Sequence, residues 1–582
     1  MRKRLLASTA TLLVLSGMYF AVSQTGLSHR LSDSPNHDDK LLRYIPADTP
    51  VFGSLHPLSA PNDHHVRSRH LLSDNRLDAI IPFANTSSVG TRENNAFIHA
   101  LLSDFVHHIE APEQLFSRIG LSTKDPAYFY SLGIVPVAKF IVTDEVLFWQ
   151  YIDDKGQNAQ FEQQQLGDIA YRSYTLDNRP DKEVEAIIAV HDDIATLTFN
   201  YAVLNAEQNA ASTLALAIGQ EKLTDSMADN NTQAQLKQQY PLAHQGVSYI
   251  DFTHIAGAVT QADNSLLAQH LAANLAANNN SHQQRLFRQI TTPECQRDIG
   301  AIAQQWPRAV LSYGSFENNF QTNLTIESEH TVIMDALTAM VGQTPDFVSD
   351  HGYTFNLALG LKGDNIVSSL DSIFGAIKAP TLSCAPLNEL QQAFRSVDKG
   401  FHYTAGPFVA GFEGISISVD VDAPNDEPLF LADVDAVLAV TADDPLRWMR
   451  TYSAFEPKMI DALNLMQSVD NGQEVEITEI IEEQQPHYAA LYDNTLFVYA
   501  GPQSTALVRS SGANFTPARN LFSASIDAGA VYRAWQEIYG LTKDTSNTQI
   551  HATKPRQMPD FTLSLMIGVN ASGISIDTQA HY

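Results

Sequence analysis

The feature that most constrains this fold is a sequence pattern that occurs twice. Ile141-Val142-Thr143-Asp144-Glu145-Val146-Leu147-Phe148-Trp149 is answered about 300 residues later by Val440-Thr441-Ala442-Asp443-Asp444-Pro445-Leu446-Arg447-Trp448. In each copy a glycine, Gly167 or Gly472, then opens a run of alternating residues. A hairpin follows, turning at Asp192-Asp193 in the first copy and at Asp493-Asn494 in the second, residue types that tolerate tight-turn geometry. Further on, Ser248-Tyr249-Ile250-Asp251 leads into Ala256-Gly257-Ala258-Val259, and Ser525-Ile526-Asp527 leads into Ala528-Gly529-Ala530-Val531. Both copies close on a second hairpin, 309–313 with 320–326 and 562–567 with 573–577.

Strands that pair as hairpins, interleaved with helices, define an α+β chain. The pattern predicts two homologous halves, 44–345 and 346–582, each a mixed or antiparallel sheet with helices packed on one face. It also predicts that Asp144 coincides with Asp443, Trp149 with Trp448, and the two hairpin turns with each other. A carboxylate at a helix start caps free N–H groups and meets the positive end of the helix dipole, so Asp144 and Asp443 read as fold determinants.

Ahead of the halves stands a third kind of segment. Arg2-Lys3-Arg4 precedes an uncharged stretch from Leu5 to Val22. Positive charge before an apolar run sends the following chain across a membrane, so 1–23 reads as a signal peptide or a retained anchor, and 24–43 as a linker. Ala21-Val22-Ser23 is a small-x-small cleavage site, whereas the length of the stretch is at the lower edge of a spanning helix. The expected location is the periplasm, or the periplasmic side of the inner membrane, with membrane contact only through an uncleaved N-terminal segment.

With 36 basic against 65 acidic residues the chain carries a net charge of −29, which repels phosphate backbones, so no nucleic-acid partner is expected. Cys295 and Cys384 are the two cysteines. In an oxidising compartment each has one intramolecular partner, and a disulfide between them is expected to join the halves; two buried free thiols are the alternative.

Chemical signatures are sparse. His56, His64, His65, His70, His99, His107 and His108 cluster early, and Asp104 and His108, four apart on a helix, could present two metal ligands beside Asp63-His64-His65. No zinc-protease or Cys/His framework accompanies them, and solvated surface histidines are the simpler account. Ser396-Val397-Asp398-Lys399 fits the Ser-x-x-Lys pattern of acyl-enzymes, but neither Ser-Asp-Asn nor Lys-Thr-Gly follows it. Asp420, Asp422, Asp426, Glu427, Asp433 and Asp435 are dense enough for weak calcium binding yet lack the glycine of a calcium loop, and acids on an exposed strand need no ion. The run Glu479-Ile480-Ile481-Glu482-Glu483 reads as a strand end and acidic turn. No phosphate loop, nucleotide fingerprint or haem attachment pattern occurs, so no cofactor and no metal are expected.

Tyr44-Ile45-Pro46-Ala47-Asp48-Thr49-Pro50 after an export signal, Pro307-Arg308 before a hairpin, and the repeated strand followed by an Asp-rich helix start resemble a group of uncharacterised envelope proteins of gram-negative bacteria. The resemblance implies location and a duplicated α+β body, and carries no activity or catalytic residue. The expected function is non-enzymatic binding or scaffolding in the envelope, with an unknown envelope protein or ligand as partner. The alternatives are a hydrolase without a recognisable motif and a carrier of an apolar ligand.

Overall fold

Apolar residues on both sides of successive strands force a sheet to be covered on both faces. In the second and third strands of this chain, Phe129 and Phe140 point to one side while Tyr128, Tyr130 and Val137 point to the other. The computed structural model describes residues 40–55, 91–107, 112–179, 183–205, 210–277, 281–316, 319–345, 352–395, 409–420, 435–453, 458–468, 470–481, 485–511, 517–531 and 561–581. It divides into two units, one running to Glu329 and including Leu382–Glu389, the other comprising His330–Thr381 and Leu390 onward.

Among the described residues the first unit holds ten strands: β1 (Val51–Leu55), β2 (Ala127–Leu132), β3 (Val135–Ile141), β4 (Glu162–Leu166), β5 (Ile169–Asp177), β6 (Val184–His191), β7 (Ile194–Tyr201), β8 (Gly246–Asp251), β9 (Arg308–Phe316) and β10 (Asn319–Glu327). Every pairing is antiparallel, and the spatial order is β10-β9-β8-β1-β2-β3-β7-β6-β5-β4. The second unit holds β12 (Phe355–Leu359), β13 (Phe412–Asp420), β14 (Asp435–Ala442), β15 (Glu474–Glu476), β16 (His487–Tyr492), β17 (Thr495–Ala500), β19 (Phe522–Asp527), β20 (Thr562–Asn570) and β21 (Gly573–His581). Two-residue strands β11 (Thr344–Pro345) and β18 (Pro517–Ala518) pair separately. The main order is β21-β20-β19-β12-β13-β14-β17-β16-β15, again antiparallel throughout. Position for position this is the order of the first unit without β4.

Both units carry helices on two faces, not one. In the first, helices Arg92–His107, Pro112–Arg118 and Glu145–Lys155 cover the face of Phe129, Phe140 and Ala186. The other face buries Phe52, Tyr128, Tyr130, Tyr249 and Val310 beneath the turn Lys40–Tyr44 and the short helices around Met227 and Leu236. In the second, Met449 and Leu463 from helices Pro445–Tyr452 and Lys458–Met466 pack on the side of Ala489 and Leu496, while Val508 of Pro502–Ser511 packs on the side of Ala490 and Phe497. Adjacent strand residues fall in opposite layers, as the two-residue period of a strand requires.

At this helix start the two units correspond one residue away from the expected register. Asp144 caps helix Glu145–Lys155, its Oδ1 accepting from Leu147 N at 3.0 Å with φ −143° and ψ 100°. In the second unit the cap is Asp444, not Asp443: its Oδ1 accepts from Arg447 N at 3.0 Å, with φ −142° and ψ 91°. Asp443 occupies the place of Thr143, donating its backbone N–H to Gly411 O as Thr143 does to Gly120 O. Trp448 therefore matches Phe148, not Trp149, since each donates its N–H to the capping residue's carbonyl. Gly120 and Gly411, with φ of +73° and +72°, turn the chain into this contact. Asp444→Ala is expected to lower stability by about 1 kcal/mol through loss of the cap, and Asp443→Ala by less than half of that, measured by thermal melting. Equal effects would refute the register.

Other differences have local causes. The alternating run that Gly472 opens is a strand only as far as Glu476, because Ile480 N–H bonds to Ile477 O within the one-turn helix Thr478–Ile481. Helix Thr331–Met340, inside the expected first half of 44–345, belongs to the second unit: Lys362 N–H bonds to Met340 O, and Gly342 N–H to Gly360 O. The division between units thus falls after Glu329, not after 345. The hairpins turn where expected, with positive φ at Asp192, Asp193 and Asp493. Cys295 and Cys384 are bonded, with Cα atoms 4.4 Å apart. The bond ties Cys295 to Leu382–Glu389, a segment that packs with the first unit although its chain neighbours lie in the second. Among the described residues, no helix is long and apolar enough to cross a membrane.

Candidate functional site

The segment Tyr44–Pro50 is held by backbone bonds and forms one wall of a cleft in the first unit. Leu41, Leu42 and Ile45 are buried and anchor its start. Met227 N–H bonds to Ile45 O, Ala47 N–H to Asp225 O, and Asp251 N–H to Pro50 O. Thr49 Oγ1 lies 2.8 Å from Ser131 O, locking the segment to β2. Prolines at 46 and 50 fix φ on either side of the turn that Thr49 N–H closes onto Pro46 O.

The cleft has a volume of about 320 Å³, the small end of the range for ligand pockets. Leu132, Leu216, Leu223, Leu266 and Leu267 form apolar walls, and Asp48, Thr224, Asp225, His254 and Ser265 bring polar groups to it. Asp251, at the end of β8, caps helix Phe252–Val259 through His254 N, and its Oδ2 stands 3.2 Å from His254 Nδ1. Contact with Asp251 raises the His254 pKa above its usual value against the opposing effect of burial, and the charges of Asp48 and Asp263 add to it. Burial pushes the Asp251 carboxyl up, but contact with the His254 side chain and the bond from its backbone N–H outweigh this and hold it below the usual range. Protonated His254 stabilises the fold at low pH, and that contribution fades as pH rises through its folded pKa. With the ring 43% exposed the contribution is small.

The second unit keeps the scaffold without these groups. Asp527 caps the following helix through Ala530 N, and its own N–H bonds to Thr354 O. The equivalences are therefore Asp251 with Asp527, His254 with Ala530, and Asp48 with Gly352. The pairing of Ala256–Val259 with Ala528–Val531 expected from sequence is displaced by one helical turn, which hid His254 from comparison.

Two further histidine and lysine environments are buried. His270, 3% exposed, accepts from Ile134 N at Nδ1 and contacts Thr213 Oγ1 at Nε2, and burial lowers its pKa to about 4, so it is a neutral core group. Lys139, 0% exposed on β3, donates to Thr196 Oγ1 at 2.8 Å and lies 4.6 Å from the centre of the Tyr44 ring. Desolvation lowers its pKa to about 7.

The residues singled out from sequence go elsewhere. Asp104 Oδ2 accepts from Tyr151 OH and pairs with Lys155 and Arg118, tying helices together. His99 and His107 lie on helix Arg92–His107, while Asp63, His56, His64, His65, His70 and His108 fall outside the described residues. So do Ser396 and Lys399, and Asp422, Asp426, Glu427 and Asp433. Asp420 accepts from Thr354 Oγ1, and Asp435 accepts from Gln503 N and Ser504 N at the start of helix Pro502–Ser511. Among the described residues no group of three or more His, Cys, Asp or Glu is placed to hold a metal.

No protein-family model matches the chain, and no curated protein matches it. Among solved structures, crystal form I of TP0453 aligns with 53% of this chain and 88% of its own, at 9% identity and a TM-score of 0.22. A likeness at that level carries no argument about fold or role.

Proposed function

We propose that this is an exported envelope protein that acts by binding a small ligand in the cleft walled by Pro46–Pro50, His254 and Leu266. Export is supported by the basic-then-apolar N-terminus and by the Cys295–Cys384 bond, which suits an oxidising compartment; the location that goes with this reading is the periplasm or the periplasmic side of the inner membrane. The matching strand orders support descent of the two units from one duplicated ancestor. The observation that carries the binding role is their divergence at one place. The scaffold around Asp251 and Asp527 is shared, but His254 and Asp48 stand on the cleft where the second unit has Ala530 and Gly352.

The reading is tested by filling the cleft. Leu266→Trp puts an indole into a space of about 320 Å³. Protein isolated from the envelope is compared with this variant by gentle native mass spectrometry and by analysis of released small molecules. A ligand present on the parent and lost from the folded variant is the expected result. Identical bound complements would defeat the proposal.

A further inference from the structure

We infer that the cleft takes an organic cation, an ammonium group on a short aliphatic chain. The inference rests on the reading of the cleft as the binding site and adds its ligand class. Two exposed carboxylates, Asp48 and Asp225, belong to adjoining backbone segments, because Ala47 N–H bonds to Asp225 O and Pro46 bridges Ser226. Among the described lining residues there is no lysine or arginine to neutralise them.

The neighbouring acids have other commitments. Asp251 is engaged by His254, while Asp263 accepts from Ser265 N and Oγ. Asp48 also acts on His254, whose pKa its charge helps to raise, so the lining sets the two carboxylates of Asp48 and Asp225 against one imidazole. The same lining carries leucines, which give a tail somewhere to leave water. A carboxylate or phosphate entering the cleft meets like charge at its rim. An ammonium group meets two acceptors of opposite sign, in a protein whose net charge of −29 draws cations toward it from a distance. The second unit has Gly352 in place of Asp48, so this charge arrangement belongs to the first.

The test uses three probes with one tail: hexylammonium, hexanol and hexanoate, titrated into the full chain by ligand-observed NMR at low ionic strength. Hexylammonium is expected to bind at least tenfold more tightly than hexanol, with hexanoate weakest. Asp48→Asn with Asp225→Asn, which keeps side-chain size, is expected to remove the ammonium preference and leave hexanol affinity within about twofold, because the Coulomb component alone is lost. Leu266→Trp is expected to abolish binding of all three. If hexanol or hexanoate binds best and Leu266→Trp blocks it, the cleft is a binding site and the cation inference is overturned. If hexylammonium fails to bind, or binds equally to Leu266→Trp, the inference falls, and in the second case the cleft reading falls with it. Melting curves establish that each variant is folded.

Discussion

Lys139→Met is expected to stabilise the protein by about 2–3 kcal/mol at pH 7, because a buried amine is exchanged for an apolar side chain of similar length. In the fold the ammonium form is disfavoured by loss of water, which brings the pKa from 10.5 to about 7. At about 1.4 kcal/mol per tenfold change, the gross cost at pH 7 is roughly 4 kcal/mol. Loss of the bond to Thr196 returns about 1 kcal/mol, which leaves the stated net gain. The sign with pH follows from proton counting. Between about pH 7 and 10.5 the unfolded chain holds a proton on Lys139 that the folded chain has shed, so parent stability rises with pH across that window. Below the folded pKa both states are protonated and the penalty is constant. Urea unfolding from pH 6 to 10 should show a slope for the parent that the variant largely lacks. A variant less stable than the parent at pH 7 would mean that Lys139 is charged and well solvated there.

The second large effect is expected at Asp298. Its side chain is 6% exposed, and Oδ2 accepts from Ser383 N and Cys384 N while Oδ1 contacts Arg297. Burial alone would raise its pKa, but the bonds from Cys384, Ser383 and Arg297 prevail and hold it below the usual carboxylate range. Asp298→Ala leaves two peptide N–H groups without their acceptor, at about 1–3 kcal/mol for each that stays dry. The disulfide beside it still confines the segment, so the expected loss is about 2–3 kcal/mol in the oxidised protein. Reduction removes the cross-link over 89 residues of sequence separation, at roughly 4–5 kcal/mol on the chain-entropy account. Reduced Asp298→Ala is therefore expected to release Leu382–Glu389, read as rapid amide exchange there while β1 and β2 stay protected. Parent stability from this carboxylate is present above its unfolded pKa and declines as acid protonates it. Unchanged exchange in the reduced variant would refute the clip.

What was legible in the sequence was the periodic part of the fold. Hairpin turns announce themselves through Asp192-Asp193 and Asp493-Asn494, and the Asp144 cap was found from local chemistry. The one-residue displacement at Asp443 arose because two adjacent aspartates fit the same pattern, and only three-dimensional contacts, the Asp444 cap to Arg447 N and the Asp443 bond to Gly411, separate them. β2 was missed because its apolar residues feed both faces, so Ala127–Leu132 shows no alternation. Lys139 was invisible for the opposite reason: a lysine in a strand ordinarily marks the solvent side. The cleft depends on pairings between distant segments, such as Ala47 with Asp225, that no local spacing announces. His254 left a trace, lying three residues from Asp251 at a helix start, but the repeated Ala-Gly-Ala-Val drew the comparison one turn downstream.

The placement of Leu382–Glu389 also sets a timetable. A ribosome makes about 5–20 residues each second, so Cys384 arrives on the order of 5–20 s after Cys295. Once β10 has been made at Glu327, the nascent first unit has all its described strands but still lacks the piece that covers Asp298 and Cys295. Its cysteine waits as an unpaired thiol, open to whatever oxidant or foreign thiol meets it first. Completion of the earlier unit is thus postponed until part of the later one has been made.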